Sequence, residues 1–263
     1  MDELDQLPMI DMQGLPENER EKAWLITTHA MKLKSYIDQA QNALDLVAFA
    51  ERELIAIRQR TSELLRQHDP ISIRQEMDQL SAARTTLAGW TMLAGRDAGM
   101  TVYHFAEAME AAKAMVRECP TLKATIDWKS VRSVQKVFSA DFPQYENFRH
   151  AIAHDAQLTD SPKSSERNSH SGYYDDGHVR MEGNVSGVRI TGNIGGAATV
   201  TIKGQILKLD LSPGLVANLK KTAINFWACF KEAERITREA AAKARTEAAA
   251  ARQQEHRPPQ QED

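Results

Sequence analysis

From Glu17 to about residue 68 the chain runs without a proline or a glycine: "ENEREKAWLITTHAMKLKSYIDQAQNALDLVAFAERELIAIRQRTSELLRQ". No other feature constrains the fold as much, because the two residues that most readily end a helix are missing over many consecutive turns. Trp24, Leu25, Met31, Tyr36, Ile37 and Leu44 recur at helical spacing, as do Val47, Leu54, Ile57 and Leu64. The segment 17–69 therefore predicts one long amphipathic helix or a helical hairpin, ended by Pro70. An apolar stripe of that length needs cover, so the fold class expected is mainly α, a helical bundle.

The segment 70–158 supplies the cover. A second helix is predicted from about 71 to 117, with its best stripe at Val102, Phe105, Met109, Ala112 and Val116. Gly89, Gly95 and Gly99 each weaken it by roughly 1 kcal/mol relative to alanine, and they allow either close helix approach or a break near 88–90. "ECPTLKATID" reads as a connection. "DWKSVRSVQKVF" reads as a third helix with Asp127 as its N-cap, and "DFPQYENFRHAIAHDAQL" as a fourth.

The period then changes. Residues 159–178 are a polar, serine-rich loop, and 179–212 read as an antiparallel β-meander of three or four short strands. Val179, Met181 and Val185 roughly alternate with polar residues, and so do Val188, Ile190, Val200 and Ile202. Gly204-Gln205 is the expected two-residue hairpin turn before Leu207, Leu209 and Leu211. "GNVSG" and "GNIGG" look like one turn used twice, lying between strands rather than before a helix, so they do not make a phosphate loop. Ser212-Pro213 then opens a long C-terminal helix, 213–252, whose alanine-rich end has little to bury. Residues 1–16 and 253–263 are expected to be disordered, the first of these acidic.

Composition excludes several classes. The net charge of the 263 residues is −3, and residues 1–22 carry seven acidic groups against two basic ones. No segment shows the basic excess of a tight, non-specific nucleic-acid binder. No window is apolar enough to span a membrane, and the acidic start lacks the pattern of a signal peptide. Cys119 and Cys229 are the only cysteines, without a CxxC pair, so neither a disulfide scaffold nor a zinc knuckle is expected and a cytoplasmic setting is the simplest.

The chemistry gathers in "ENFRHAIAHDAQ". At about 100° per residue, Phe148, Tyr145 and Ile152 share the face that enters the core, His150 and His154 fall nearly opposite, and Arg149 lies at the border. The histidines are thus aimed at solvent, a partner helix or another subunit, and Ala151 and Ala153 leave room for a second backbone. Histidine titrates near neutrality, which suits such a contact to acid–base work, although a solvated face carries the same residues.

Arg149 and His154 form R-x4-H, with the polar His150 directly after the arginine. Together with "LAGRDAGMTVYHFAEAMEA" and "CPTLKATIDWKSVRSVQKVFSADFPQYENFRHAIAH", this resembles the HEPN superfamily, over about residues 85–160. The resemblance implies a small all-α bundle that works as a homodimer, with the motif doubled across the interface into one cleft. It implies a metal-independent endoribonuclease of the toxin or phage-defence kind, needing no cofactor, with RNA as substrate and an antitoxin or other protein as a further partner. On that analogy His154 deprotonates the ribose 2′-hydroxyl or protonates the leaving 5′-oxygen. Arg149 holds the scissile phosphate, and His150, more often asparagine in the family, orients its neighbours. Asp97 and His104, both off the apolar stripe of the second helix, are the candidate supporting residues.

Two other readings stay open. His150 and His154 are also an i, i+4 pair that can grip zinc, with a third ligand from Asp155, His104, His170 or His178, but Ala151 stands where an HExxH site has its glutamate. The chain can equally be a non-catalytic dimerisation or binding module, in which the meander or the last helix recruits a partner.

Overall fold

The computed structural model describes residues 9–66, 70–155, 157–175, 177, 180–181, 187–188 and 190–255. The fold is mainly α, with a small antiparallel sheet ahead of the C-terminal helices. The glycine-free stretch forms one helix, α1 (Glu17–Leu64), rather than a hairpin, and α2 (Pro70–Arg117) is equally long at 48 residues. α2 starts on its proline and does not break at 88–90. Among the described residues no helix is long and apolar enough to cross a membrane.

The chain divides into two compact units, one of Met1–Lys34, Phe105–Phe138 and Lys220–Asp263, the other of Ser35–His104 and Ser139–Leu219. These are not the contiguous stretches expected from sequence. A helix of 48 residues is about 70 Å long at 1.5 Å per residue, more than one small core spans, so α1 and α2 each serve both units.

In the first unit the predicted connection 118–127 contains a short helix, α3 (Pro120–Thr125). Buried Glu19 accepts hydrogen bonds from the Thr121 N–H at 3.2 Å and the Thr121 hydroxyl at 3.1 Å, placing a carboxylate at that helix's positive end. α4 (Trp128–Asp141) begins at Asp127 as predicted, with the Asp127 carboxylate accepting from the Lys129 and Ser130 N–H groups. Phe105 and Phe138 stack within this core at 5.8 Å.

The single C-terminal helix expected over 213–252 is two, α7 (Pro213–Ala228) and α8 (Lys231–Glu255). The chain tightens at Cys229 and Phe230, whose N–H groups donate to the carbonyls of Phe226 and Trp227, three residues back. Phe226 and Phe230 meet edge to face across this turn, ring centres 5.3 Å apart, both almost fully buried. Both cysteines are free and buried, and burial pushes each thiol up to about 11.

The expectation of disorder at 1–16 fails for residues 9–16. A 3-10 turn at Met12–Gly14, capped by Asp11, seats Gly14 against the Thr237 carbonyl of α8, where any Cβ would overlap backbone. Ile10 and Leu15 are buried on either side, and the Thr237 hydroxyl accepts from the Asp11 N–H. Apolar anchors at 10 and 15 outweigh the acidic composition, and Asp11 pairs with Arg245 at 2.9 Å. At the other end the expected disordered tail 253–263 is corrected for 253–255, which continue α8, and residues 1–8 and 256–263 lie outside the described residues.

In the second unit the meander consists of β3 (Thr191–Ile194), β4 (Ala197–Ile202) and β5 (Gln205–Asp210), preceded by the two-residue pair β1 (Tyr174–Asp175) and β2 (Arg180–Met181). Register fixes the turns. Ile202 pairs with Gln205, so the turn residues are Lys203-Gly204, one earlier than predicted, both at positive φ (51° and 74°). Gly195-Gly196 turns the previous hairpin in the same way, at 59° and 77°. Val179 and Val185 lie outside the described residues.

The polar loop also holds more structure than its composition suggests. α6 (Pro162–Arg167) starts on Ser161, whose hydroxyl accepts from the Ser164 N–H. β4 is buried along both faces. Its Ala198, Val200 and Ile202 form one core with Phe148, Ala151, Ile152, Leu158 and Leu207.

Candidate functional site

The residues Arg149, His150 and His154 are carried by α5 (Tyr145–Ala153), a helix shorter than the predicted one. Gln144 precedes it in a left-handed conformation (φ 62°) directly after Pro143, and the helix closes at His154, whose N–H still donates to the His150 carbonyl at 3.1 Å. His154 therefore lies just past the helix end rather than on it. That last hydrogen bond keeps it one turn above His150.

Depth is set by α2. A Cβ on Gly99 would stand 2.5 Å from the Phe148 ring and 2.9 Å from Ile152, and one on Gly95 would overlap the Asn193 side chain. Two glycines one turn apart thus let α5 and the sheet sit directly on the α2 backbone, the close approach that the sequence allowed. Asn193 donates to the Thr91 carbonyl at 2.6 Å and fastens β3 to the same helix. Arg96 donates to the Ile152 carbonyl at 3.2 Å, a cation on an end carbonyl of α5.

On this frame the two imidazoles lie side by side, ring centres 4.7 Å apart and planes 41° from parallel. His150 is exposed and His154 half-buried, facing away from the core as the helical pattern predicts. Desolvation where its ring packs lowers the His150 pKa below the usual histidine range, and the neighbouring charges of His154, Lys203 and Arg149 lower it further. Two of those neighbours, Lys203 and Arg149, carry a standing positive charge.

Arg149 is half-buried. Its guanidinium lies over the Tyr103 ring at 4.9 Å, and its Nε–H is buried without a protein hydrogen-bond partner. Lys203 arrives from the β4–β5 turn, which is braced twice. The Asn168 side chain accepts from the Lys203 N–H at 3.2 Å, and His170 Nδ1 bonds the Gly204 carbonyl at 3.0 Å. That carbonyl can only accept, so Nδ1 carries the proton.

The structure brings His150 and His154 together, with Arg149 and Lys203 near enough for their charges to act on His150, and it sets Arg96 on the carbonyl end of α5; the sequence marks neither Lys203 nor Arg96 as a site residue. Lys203 holds the first turn position, one residue before the Gly204-Gln205 turn that the sequence predicts. Asp97 lies elsewhere. It is two residues from both Gly95 and Gly99, hence about 160–200° around α2 from the face that meets α5, and it lines a shallow cleft with Asn42, Leu46 and Leu93. His104 is exposed and packs between Tyr36 and Tyr103 rather than beside the histidine pair. Among the described residues no group of three or more His, Cys, Asp or Glu is placed to hold a metal ion, and His178 lies outside them. A cleft of about 400 Å³ opens beside α5 between Gln144, Phe148, Lys208 and Asn218, without the arginine or either histidine in its lining.

Two adjacent imidazoles, one shifted toward its neutral form, amid an arginine and a lysine can bind an anion and transfer protons at it. No protein-family model, curated protein or solved structure matches the chain.

Proposed function

We propose that the chain is an HEPN-like, metal-independent endoribonuclease of the toxin or phage-defence kind, acting at Arg149, His150 and His154. The observation that carries this reading is the His150–His154 contact at 4.7 Å, with the positive charges of Arg149 and Lys203 acting on His150. A phosphodiester anion satisfies those charges, and paired imidazoles supply both proton transfers that RNA cleavage needs. One ring takes the proton of the 2′-hydroxyl as its oxygen attacks phosphorus. The other protonates the 5′-oxygen as the P–O5′ bond breaks, leaving a 2′,3′-cyclic phosphate and a 5′-hydroxyl. Arg149 and Lys203 stabilise the charge that builds on the phosphoryl oxygens. The exposed His150 and Ala153 leave this end of α5 open to a second copy, which completes a composite cleft in a homodimer.

The test is RNA integrity with purified protein, with and without EDTA, beside the His154→Ala and Arg149→Ala forms. We expect cleavage that survives EDTA, leaves cyclic-phosphate ends and falls by about 10²–10⁴ in His154→Ala. RNA intact under every condition overturns the reading, and cleavage lost with EDTA points to a metal instead. A second reading, a non-catalytic dimerisation or binding module, is favoured by one observation. Phe49 and Trp90 stack at 6.2 Å while standing 39% and 40% exposed beside Leu93, an apolar group of the kind that partners cover.

A further inference from the structure

A run of rings leads away from the histidine pair. Tyr145 of α5 lies 6.4 Å from Tyr103 of α2, and the face of Tyr103 carries the Arg149 guanidinium. Tyr103 meets His104 edge-on at 5.5 Å, and His104 stacks on Tyr36 of α1 at 6.0 Å with planes 24° apart. Three of the chain's five tyrosines are in this strip. Its tyrosines are half-buried and His104 is exposed, whereas the aromatic core elsewhere is built of phenylalanines such as Phe105 and Phe226 with no exposure at all.

Packing by itself asks for apolar rings sunk out of water. Here the rings carry hydroxyl, imidazole and guanidinium groups and stay at the surface, amphipathic groups suited to a ligand with an apolar face and a wet edge. Nucleobases are such ligands, and the phosphates that join them match the cations at one end of the strip. In a duplex those base faces are already covered, so the strip suits unpaired bases.

We propose that Tyr36, Tyr103, His104 and Tyr145 form a stacking platform for the bases of single-stranded RNA whose phosphodiester sits at Arg149, His150 and His154. The proposal rests on the nuclease reading above for the identity of its ligand, and it gives His104 a positioning role in place of a supporting role in the chemistry. Stacking tolerates any base, so the platform fixes where a strand lies and leaves sequence open.

The test uses the full-length His154→Ala protein and fluorescence anisotropy with two labelled probes, a ten-nucleotide oligouridylate and an abasic ribose-phosphate strand of equal length. The oligouridylate is expected to bind about tenfold or more tighter than the abasic strand. Tyr103→Leu and Tyr36→Leu are expected to narrow that gap toward unity, while Tyr103→Phe and Tyr36→Phe keep it. Tyr36 touches neither Arg149 nor the histidine pair, so its variants report on stacking without disturbing the phosphate end. Equal binding of the two probes, no binding of either, or a gap indifferent to leucine overturns the platform. Cleavage in the protein with His154 intact separates the two ideas. Base-dependent binding without cleavage retires the nuclease and keeps the platform, and cleavage with no base dependence does the reverse.

Discussion

The two halves of α2 that lie in the second unit share one helix and lead different lives. From Ser81 to Thr86 every residue is exposed, and a Cβ on Gly89 would meet nothing within 4 Å. From Ala94 to Val102 the helix is largely buried, and Gly95 and Gly99 lie directly under Asn193, Phe148 and Ile152. In the first half glycine is only a weak helix former. In the second it sets the distance at which α5, and with it the Arg-His-His group, can sit. The same residue type at a spacing of six and four thus has opposite meanings, and only the neighbouring elements separate them.

The largest expected effect falls on the group that fills the close contact. Phe148 is buried against Gly99 among Ile152, Val200, Ile202 and Leu207, so Phe148→Ala should cost about 3–5 kcal/mol of unfolding free energy, read from the denaturant midpoint. A loss below about 1 kcal/mol would mean that α5 does not depend on this contact and would erase the contrast.

Next comes a pair of substitutions of opposite sign. Gly99→Ala drives a methyl into the Phe148 ring and should destabilise by about 1–3 kcal/mol, while Gly89→Ala gains helix propensity and should stabilise by about 0.5–1 kcal/mol. Denaturation curves of the two variants giving the same sign would break the comparison outright.

The smallest effect is electrostatic. The folded protein holds the His150 pKa below its unfolded value, so the unfolded chain binds that proton more readily. Its contribution is full above the ordinary histidine pKa and is lost as pH falls through the lowered one. His29, whose pKa is lowered by burial and then by Lys32, acts in the same direction. The urea midpoint should therefore decline as the buffer is acidified below about pH 6.5, and His150→Gln should make that decline shallower. A His150 ring that titrates by NMR above the ordinary histidine pKa would show that neither burial nor the charges of Arg149 and Lys203 act on it as described.

Much of the helical framework was legible beforehand. Asp127 caps α4 and Ser212-Pro213 opens α7 because a cap is a local hydrogen bond between residues two or three apart, visible in any single sequence. The same Ser-Pro signal stands at Ser161-Pro162, yet the serine-rich composition around it concealed α6. The faces of α5 were legible as well, since Phe148 and Ile152 are buried and His150 is exposed, as the helical period requires. The contacts of the site were not. Lys203 lies 53 positions beyond His150 in the sequence, and nothing local links a hairpin turn to a helix end. Asp97 and His104 lie off an apolar stripe, which tells which way a side chain does not point and leaves open what it meets.

The sequence by itself determined where helices start, which stripes they bury and that the period changes to strands near residue 180, because these depend on backbone propensity and on neighbours within a turn. Only the tertiary structure decided that the 48-residue helices serve two units, that the last helix breaks at Cys229-Phe230, and that the charge of Lys203 acts on His150. Those outcomes turn on non-local packing, in which the absence of a Cβ at Gly95 or Gly99 matters only once Asn193 or Phe148 has arrived to occupy the space.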